Sequence, residues 1–163
     1  GQIMLTIHIL CVGSLKEAYW AQACAEYQKR LGAFCRLIIT EVNEEKAPRS
    51  PSPAQIEQIL QVEGGRLLAK TDRQAYTVAM CIEGKPLSSR ALSEQINAVA
   101  IAGTSKIIFL IGGSFGLSDT VKQTANLQLS MSPMTFPHQL ARVMLCEQIY
   151  RAFQISSGGK YHK

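Results

Sequence analysis

Lys106-Ile107-Ile108-Phe109-Leu110-Ile111-Gly112-Gly113-Ser114-Phe115-Gly116 decides how this chain folds. After its lysine the stretch runs apolar for five residues, the pattern of a strand covered on both faces in a parallel sheet. The glycines that follow let the backbone turn tightly and come close to a neighbour or a ligand. Open α/β sheets place ligands at turns of this kind, outside the carboxyl ends of their strands. The spacing is G-G-x-x-G, however, which differs from the G-x-G-x-x-G dinucleotide fingerprint, and it lies late in the chain. By itself the turn reads equally well as a ligand cradle or as a plain tight turn.

Working outward, residues 4–12 alternate and then run apolar, a first strand that Gly13-Ser14 ends. Residues 17–31 form a helix by their spacing, with Tyr19, Trp20, Ala23, Cys24, Tyr27 and Leu31 recurring at threes and fours and Gly32 as the stop. A second strand follows at 34–42. Residues 43–52 mix charge and proline and read as a mobile surface loop. Pro53 opens a helix to about residue 70, whose Gly64-Gly65 marks a bend or close packing, because no G-K-[ST] follows to make a phosphate loop. Residues 76–82 are a third strand, and Glu83-Gly84-Lys85-Pro86 turns out of it. Ser88 caps a helix that Gly103 closes, Ser118-Asp119 caps a short one to about 125, and 126–130 is a last strand. Strands and helices alternate throughout, so the expected fold is a single α/β domain over residues 1–163, with a mostly parallel sheet flanked by helices. Gly1-Gln2-Ile3 stands before the first strand pattern and reads as an expression remnant.

A second stretch, Met131-Ser132-Pro133-Met134-Thr135-Phe136-Pro137, places two prolines four positions apart and imposes a stiff, extended loop. The helix behind it spreads Leu140, Val143, Met144, Ile149, Tyr150 and Phe153 over more than one face, which predicts cover on two sides, one of them a partner. His138 and Arg142 share a face at its start, beside the loop. A constrained loop between a strand and a buried helix reads as a site.

The chain has 163 residues, 47% hydrophobic, enough for one real core. Its net charge of +5 favours polyanionic partners without naming one. From residue 136 onward Arg142, Arg151, Lys160 and Lys163 face only Glu147, so four minus one, or +3, of that excess sits in the last segment. No apolar run is long enough for a membrane span and no leader is visible, so a cytoplasmic location is expected. The five cysteines have no C-x-x-C spacing and read as buried free thiols. The three histidines (His8, His138, His162) have no Cys, Asp or Glu at metal spacing, so no metal is expected. Ser118, Asp119 and His138 lack a G-x-S-x-G elbow, and capping accounts for the first two. Gly158-Gly159-Lys160-Tyr161-His162-Lys163 is either a frayed end or a hinged tail that folds over a nucleotide.

Several stretches taken together closely resemble the RlmH family of ribosomal RNA large subunit methyltransferases, within the SPOUT superfamily. They are Ile111-Gly112-Gly113-Ser114-Phe115-Gly116, the run from Leu129-Ser130 through Met131-Ser132-Pro133-Met134-Thr135-Phe136-Pro137-His138-Gln139-Leu140, Arg142-Val143, Glu147-Gln148-Ile149-Tyr150-Arg151-Ala152, and Tyr161-His162-Lys163. Val12-Gly13-Ser14-Leu15-Lys16 and Glu26-Tyr27-Gln28-Lys29-Arg30-Leu31 extend the likeness over residues 4–163. The resemblance implies a C-terminal trefoil knot, S-adenosylmethionine as cofactor, and a homodimer with its site near the subunit interface. It also implies a target: N3 of a pseudouridine in a hairpin loop of large-subunit ribosomal RNA in the assembled ribosome. Carried onto this chain, the cofactor contacts are Met80, Gly112 and the loop Met131, Ser132, Pro133, Met134, Thr135 and Phe136. His162 is the implied base or proton relay, with Tyr161 stacking on the target and Arg142 and Lys163 anchoring phosphate or a base carbonyl. His138 and Lys160 complete the RNA contacts. Two other classes fit the same residues: a non-catalytic ribosome-binding module, and a nucleotide-binding protein using the glycine turn.

Overall fold

The structure, a computed structural model, describes residues 4–163, so the suggested remnant Gly1-Gln2-Ile3 lies outside the described residues. The elements follow as β1 (Thr6–Val12), α1 (Ala18–Leu31), β2 (Arg36–Val42), α2 (Pro53–Leu68), β3 (Tyr76–Pro86), α3 (Ser89–Ile101), β4 (Lys106–Ile111), α4 (Asp119–Thr124), β5 (Leu127–Ser130) and α5 (His138–Ser156). The strands form one sheet in the order β2-β1-β4-β3-β5, and every neighbouring pair is parallel.

β4 sits mid-sheet between β1 and β3, and its residues from Ile107 onward are all buried, which explains its unbroken apolar run. Alternation along a strand sends successive side chains to opposite faces. Ile7, Ile9, Cys11, Ile107, Phe109 and Ile111 therefore join the core that also takes in Leu145 and Ile149 of α5. Leu10, Val12, Ile108 and Leu110 meet Leu67 of α2 and Val121 of α4 on the other face. Each such side chain contributes roughly 1.5–3 kcal/mol when fully buried. Two layers of helix clamp the central strands, and the loops at their ends are held accordingly.

Helix starts follow the sequence closely. Ser52, Ser88 and Ser118 each accept a hydrogen bond from a first-turn amide, and Ser52 and Gln55 form a reciprocal capping box ahead of Pro53. α2 runs unbroken through Gly64-Gly65. A Cβ on Gly64 would stand 2.7 Å from Ser118 Oγ and 3.1 Å from Val121 Cγ2, so close packing of α2 on α4 is the reason for that glycine.

Two expectations are corrected. Residues 43–52 are not free at their start: Arg66 Nη1 donates to the Asn43 carbonyl at 3.0 Å and pairs with Glu45, whose amide donates to Glu63 Oε2 at 3.0 Å. Glu83-Gly84-Lys85-Pro86 does not leave the sheet. Met80 and Lys85 both register with Leu129 of β5, so residues 81–84 bulge out of β3 before pairing resumes. Gly84 is forced by this path, since a Cβ there would lie 2.7 Å from the backbone of Gln128 and Leu129.

Among the described residues no helix is long and apolar enough to cross a membrane. The five cysteines are free; four are buried and Cys81, in the bulge, is half-buried.

Candidate active site

The carboxyl ends of β4, β3 and β5 are neighbours, and the loops leaving them enclose a cavity of about 660 Å³. That is within the range of roughly 300–1,000 Å³ usual for small-ligand sites. The glycine turn after β4 makes one wall. Gly113 and Gly116 close it as an isolated antiparallel bridge, Gly116 N donating to Gly113 O at 3.1 Å. Gly116 adopts φ +84°, and a Cβ on Gly112 would stand 2.2 Å from Gly116 O. Gly112 is therefore required by the turn itself, before any ligand approaches.

The loop between β5 and α5 makes the second wall. Ser130 Oγ donates to the Ser132 carbonyl at 3.1 Å, and Ser132 Oγ accepts from Met134 N at 2.9 Å. With the two prolines these bonds set the loop's path without help from a ligand. Met131, Ser132, Met134, Thr135 and Phe136 line the cavity, as Met80 and Gly112 do; Pro133 is exposed outside the lining.

His138 opens α5 and also lines the cavity. Burial holds its imidazole below the ordinary value of 6.5, against the pull of Glu44, and its buried Nδ1 has no partner. A lowered pKa favours the neutral imidazole, which can exchange hydrogen bonds or a proton with a group in the cavity.

Arg142 lies one turn further along α5. It is 2% exposed, and it donates from Nη1 to Glu41 Oε2 at 2.6 Å and from Nη2 to the Gly13 carbonyl at 3.0 Å. It ties α5 to the ends of β1 and β2. The shared face with His138 is real, but it looks into the fold. A Cβ on Gly13 would lie 3.8 Å from His138 Cε1.

The tail folds back on its own α5. Tyr161 Oη donates to Glu147 Oε2 at 2.5 Å, its ring meets Tyr150 edge-on at 4.9 Å, and the Arg151 guanidinium lies 4.7 Å over it. Arg151 Nη1 is 3.1 Å from His162 Nδ1. The hydrogen bond to Glu147 raises the Tyr161 hydroxyl above its ordinary pKa. Lys160, Tyr161, His162 and Lys163 do not line the cavity of their own chain.

Three cavity groups escaped the sequence. Cys81 and Glu83 project from the β3 bulge, and Lys122 of α4 is bonded to Glu83. The available signal was Gly84, a glycine inside a strand pattern, which often marks a bulge. Behind the glycine turn lies Glu63, 3% exposed, with Oε1 unpartnered and 3.6 Å from where Gly113 would carry a Cβ. Burial pushes its carboxyl above the ordinary range. Among the described residues no cluster of His, Cys, Asp and Glu is arranged to hold a metal ion.

A family model described as "Predicted SPOUT methyltransferase" matches residues 5–162. Among solved structures, a probable methylase family protein from Haemophilus influenzae Rd KW20 is similar at 13% identity and a TM-score of 0.53, over 96% of this chain and 70% of that one. A probable methyltransferase from Bordetella pertussis Tohama I is similar at 13% identity and a TM-score of 0.55, over 93% and 97% of the two chains. At that identity these likenesses speak to the fold.

Proposed function

We propose, because the chain belongs to the SPOUT methyltransferase family, that it transfers a methyl group from S-adenosylmethionine to N3 of a pseudouridine in large-subunit ribosomal RNA, acting on assembled ribosomes in the cytoplasm. The observation that supports this reading best is the preset cavity between the glycine turn and the proline loop, with an imidazole in its wall. Its residues fit the cofactor. Gly112, Gly113 and Gly116 leave backbone groups open to a nucleoside's ring edges, and Met80, Met131 and Met134 offer polarisable surface to an organosulfur ligand.

Bound there, the cofactor would supply an activated methyl group, so the protein's task is placement. The glycine turn and the residues from Met131 to Phe136 hold the ligand rigidly. His138, neutral and lining the cavity, accepts the imide proton that the target nitrogen must lose. Three of the six large exposed apolar side chains among the described residues, Ile82, Phe115 and Met134, belong to the lining. Docked RNA or a second subunit covers them and excludes water. A homodimer also gives the tail a use: released from α5, one subunit's Tyr161 would stack on the target in its partner's site, with Lys160, His162 and Lys163 meeting the RNA.

The test is methyl transfer from labelled cofactor to ribosomes that lack the modification. One base should gain label in ribosomes and none in naked RNA; ribosome association without label would instead make the chain a binding module. His138→Ala should lower turnover about 10²- to 10⁴-fold with cofactor affinity retained. If His162→Ala has that effect and His138→Ala does not, the proton goes to the tail.

A further inference from the structure

The β3 bulge presents a pair of charges to which methyl transfer gives no task. Glu83 is the acidic residue of the cavity lining and Lys122 its full cation, and the two are directly bonded. The Lys122 side chain is 20% exposed and that of Glu83 55%. Lys122 is also held by its surroundings: its carbonyl accepts from Gln128 Nε2 at 3.2 Å, and Asp119 lies at 4.0 Å. Glu83 reaches the cavity only through the bulge, four residues inserted where a regular strand would have continued along β5. Hydrogen bonding to Lys122 keeps the Glu83 carboxyl below its ordinary range, so it is ionised at neutral pH.

A compensated ion pair is selective about what it meets. A ligand group bearing a single charge is attracted by one member of the pair and repelled by the other, so it gains little from the pair as a whole. A zwitterionic amino-acid end would meet both members, and binding of a ligand without that end separates it from the sugar. A neutral group whose atoms both donate and accept gains twice: its O–H donates to the carboxylate and its oxygen accepts from the ammonium. Charge-assisted bonds of this kind are roughly twice as strong as neutral ones. In a nucleoside cofactor that description fits the ribose, with two adjacent hydroxyls, while the adenine edge suits the backbone groups of the other two walls.

We propose that Glu83 and Lys122 form the clamp for the ribose diol of the cofactor, Glu83 accepting from the hydroxyls and Lys122 donating to them. The proposal rests on the reading of the cavity as a nucleoside-cofactor site and adds which side chains select the sugar. No covalent step is involved. The pair acts on affinity and placement.

Calorimetry on the full chain tests it with S-adenosylhomocysteine and its 2′,3′-dideoxy analogue. The unaltered protein should bind the analogue about ten- to hundredfold more weakly. Glu83→Gln and Lys122→Met should each weaken S-adenosylhomocysteine about tenfold and leave the analogue's affinity unchanged, so that discrimination shrinks. Thermal unfolding checks that each variant is folded, and either one alone carries the test. Equal losses for both ligands would make the pair merely structural and overturn the proposal, as would undiminished discrimination in both variants. A loss seen with S-adenosylhomocysteine but absent with 5′-methylthioadenosine, which keeps the diol and lacks the amino acid, would place the pair at the amino-acid end and also overturn it. If the unaltered protein binds neither ligand, the cofactor reading fails with it; if it binds both equally, only the clamp fails.

Discussion

The two ends of α5 are held by different physics, and two arginines show it. Arg142 near the amino end is 2% exposed and reaches Glu41 and the Gly13 carbonyl across the fold. Arg151, nine residues later, has a side chain 25% exposed and pairs with Glu147 one turn away. Loss of Glu41, whose side chain is 41% exposed, would leave the buried Arg142 guanidinium without its carboxylate, whereas a partly exposed i,i+4 pair contributes only a few tenths of a kcal/mol. One turn before Arg142, His138 lines a cavity walled by backbone turns: the glycine bridge, the Ser130–Ser132–Met134 hydrogen bonds and two prolines. Around Arg151 the neighbours are side chains, Tyr150, Tyr161 and Glu147. The cavity end is set by backbone turns and the tail end by side-chain contacts.

The sharpest way to break that contrast is Gly112→Val. A branched side chain driven against Gly116 should open the turn, at about 3 kcal/mol or more in denaturant unfolding, and abolish cofactor binding. A variant that kept parental stability and lost only binding would mean that the turn is shaped by its ligand.

A smaller effect is expected behind the turn. Burial raises the Glu63 carboxyl above its ordinary value of 4.5. Below that pH both folded and unfolded chains hold the proton, so the group costs nothing; as pH rises, the unfolded chain releases it first and folding stability is lost. Glu63→Gln should therefore be more stable than the parent at neutral pH, with the gain fading as pH falls below 4.5. A gain independent of pH would show that packing, not ionisation, is responsible.

Tyr161→Phe should change global stability least, by under about 1 kcal/mol, since it removes one partly exposed hydrogen bond. Its effect should be local: faster amide exchange and proteolysis at Gly158-Gly159, with the cavity unaffected. Loosening of the cavity as well would show that the two ends are coupled.

What the sequence disclosed follows the same division. β4 and its glycine turn were legible because a buried central strand has no polar face to confuse the pattern, and the proline loop because proline restricts φ whatever surrounds it. His138 and Arg142 were correctly put on one face, but four-residue spacing is the same for a surface pair and a buried brace; only Gly13 and Glu41, more than a hundred residues earlier, decide between them. Glu83-Gly84-Lys85-Pro86 has the composition of a turn, and its continuation as strand depends on the backbone of β5 at Leu129. The seat of the tail depends on an aromatic cluster that joins Tyr27, Tyr150 and Phe153, helix residues that periodicity had already assigned to packing, with Phe34 from the turn after α1. The family itself came from motif resemblance, which composition and spacing do not supply.

The bulge in β3 also separates two kinds of change that most strands couple. Pairing with β5 holds at Met80, lapses for four residues and resumes at Lys85 on the same partner, Leu129. Apart from Gly84, whose place is fixed by β5, the bulged residues owe the ladder nothing. Their side chains can be exchanged, or their number altered, while strand pairing on either side stays in register. The cavity's chemistry can thus drift independently of the sheet that carries it, and this short segment is where an altered ligand preference would be cheapest to evolve or to engineer.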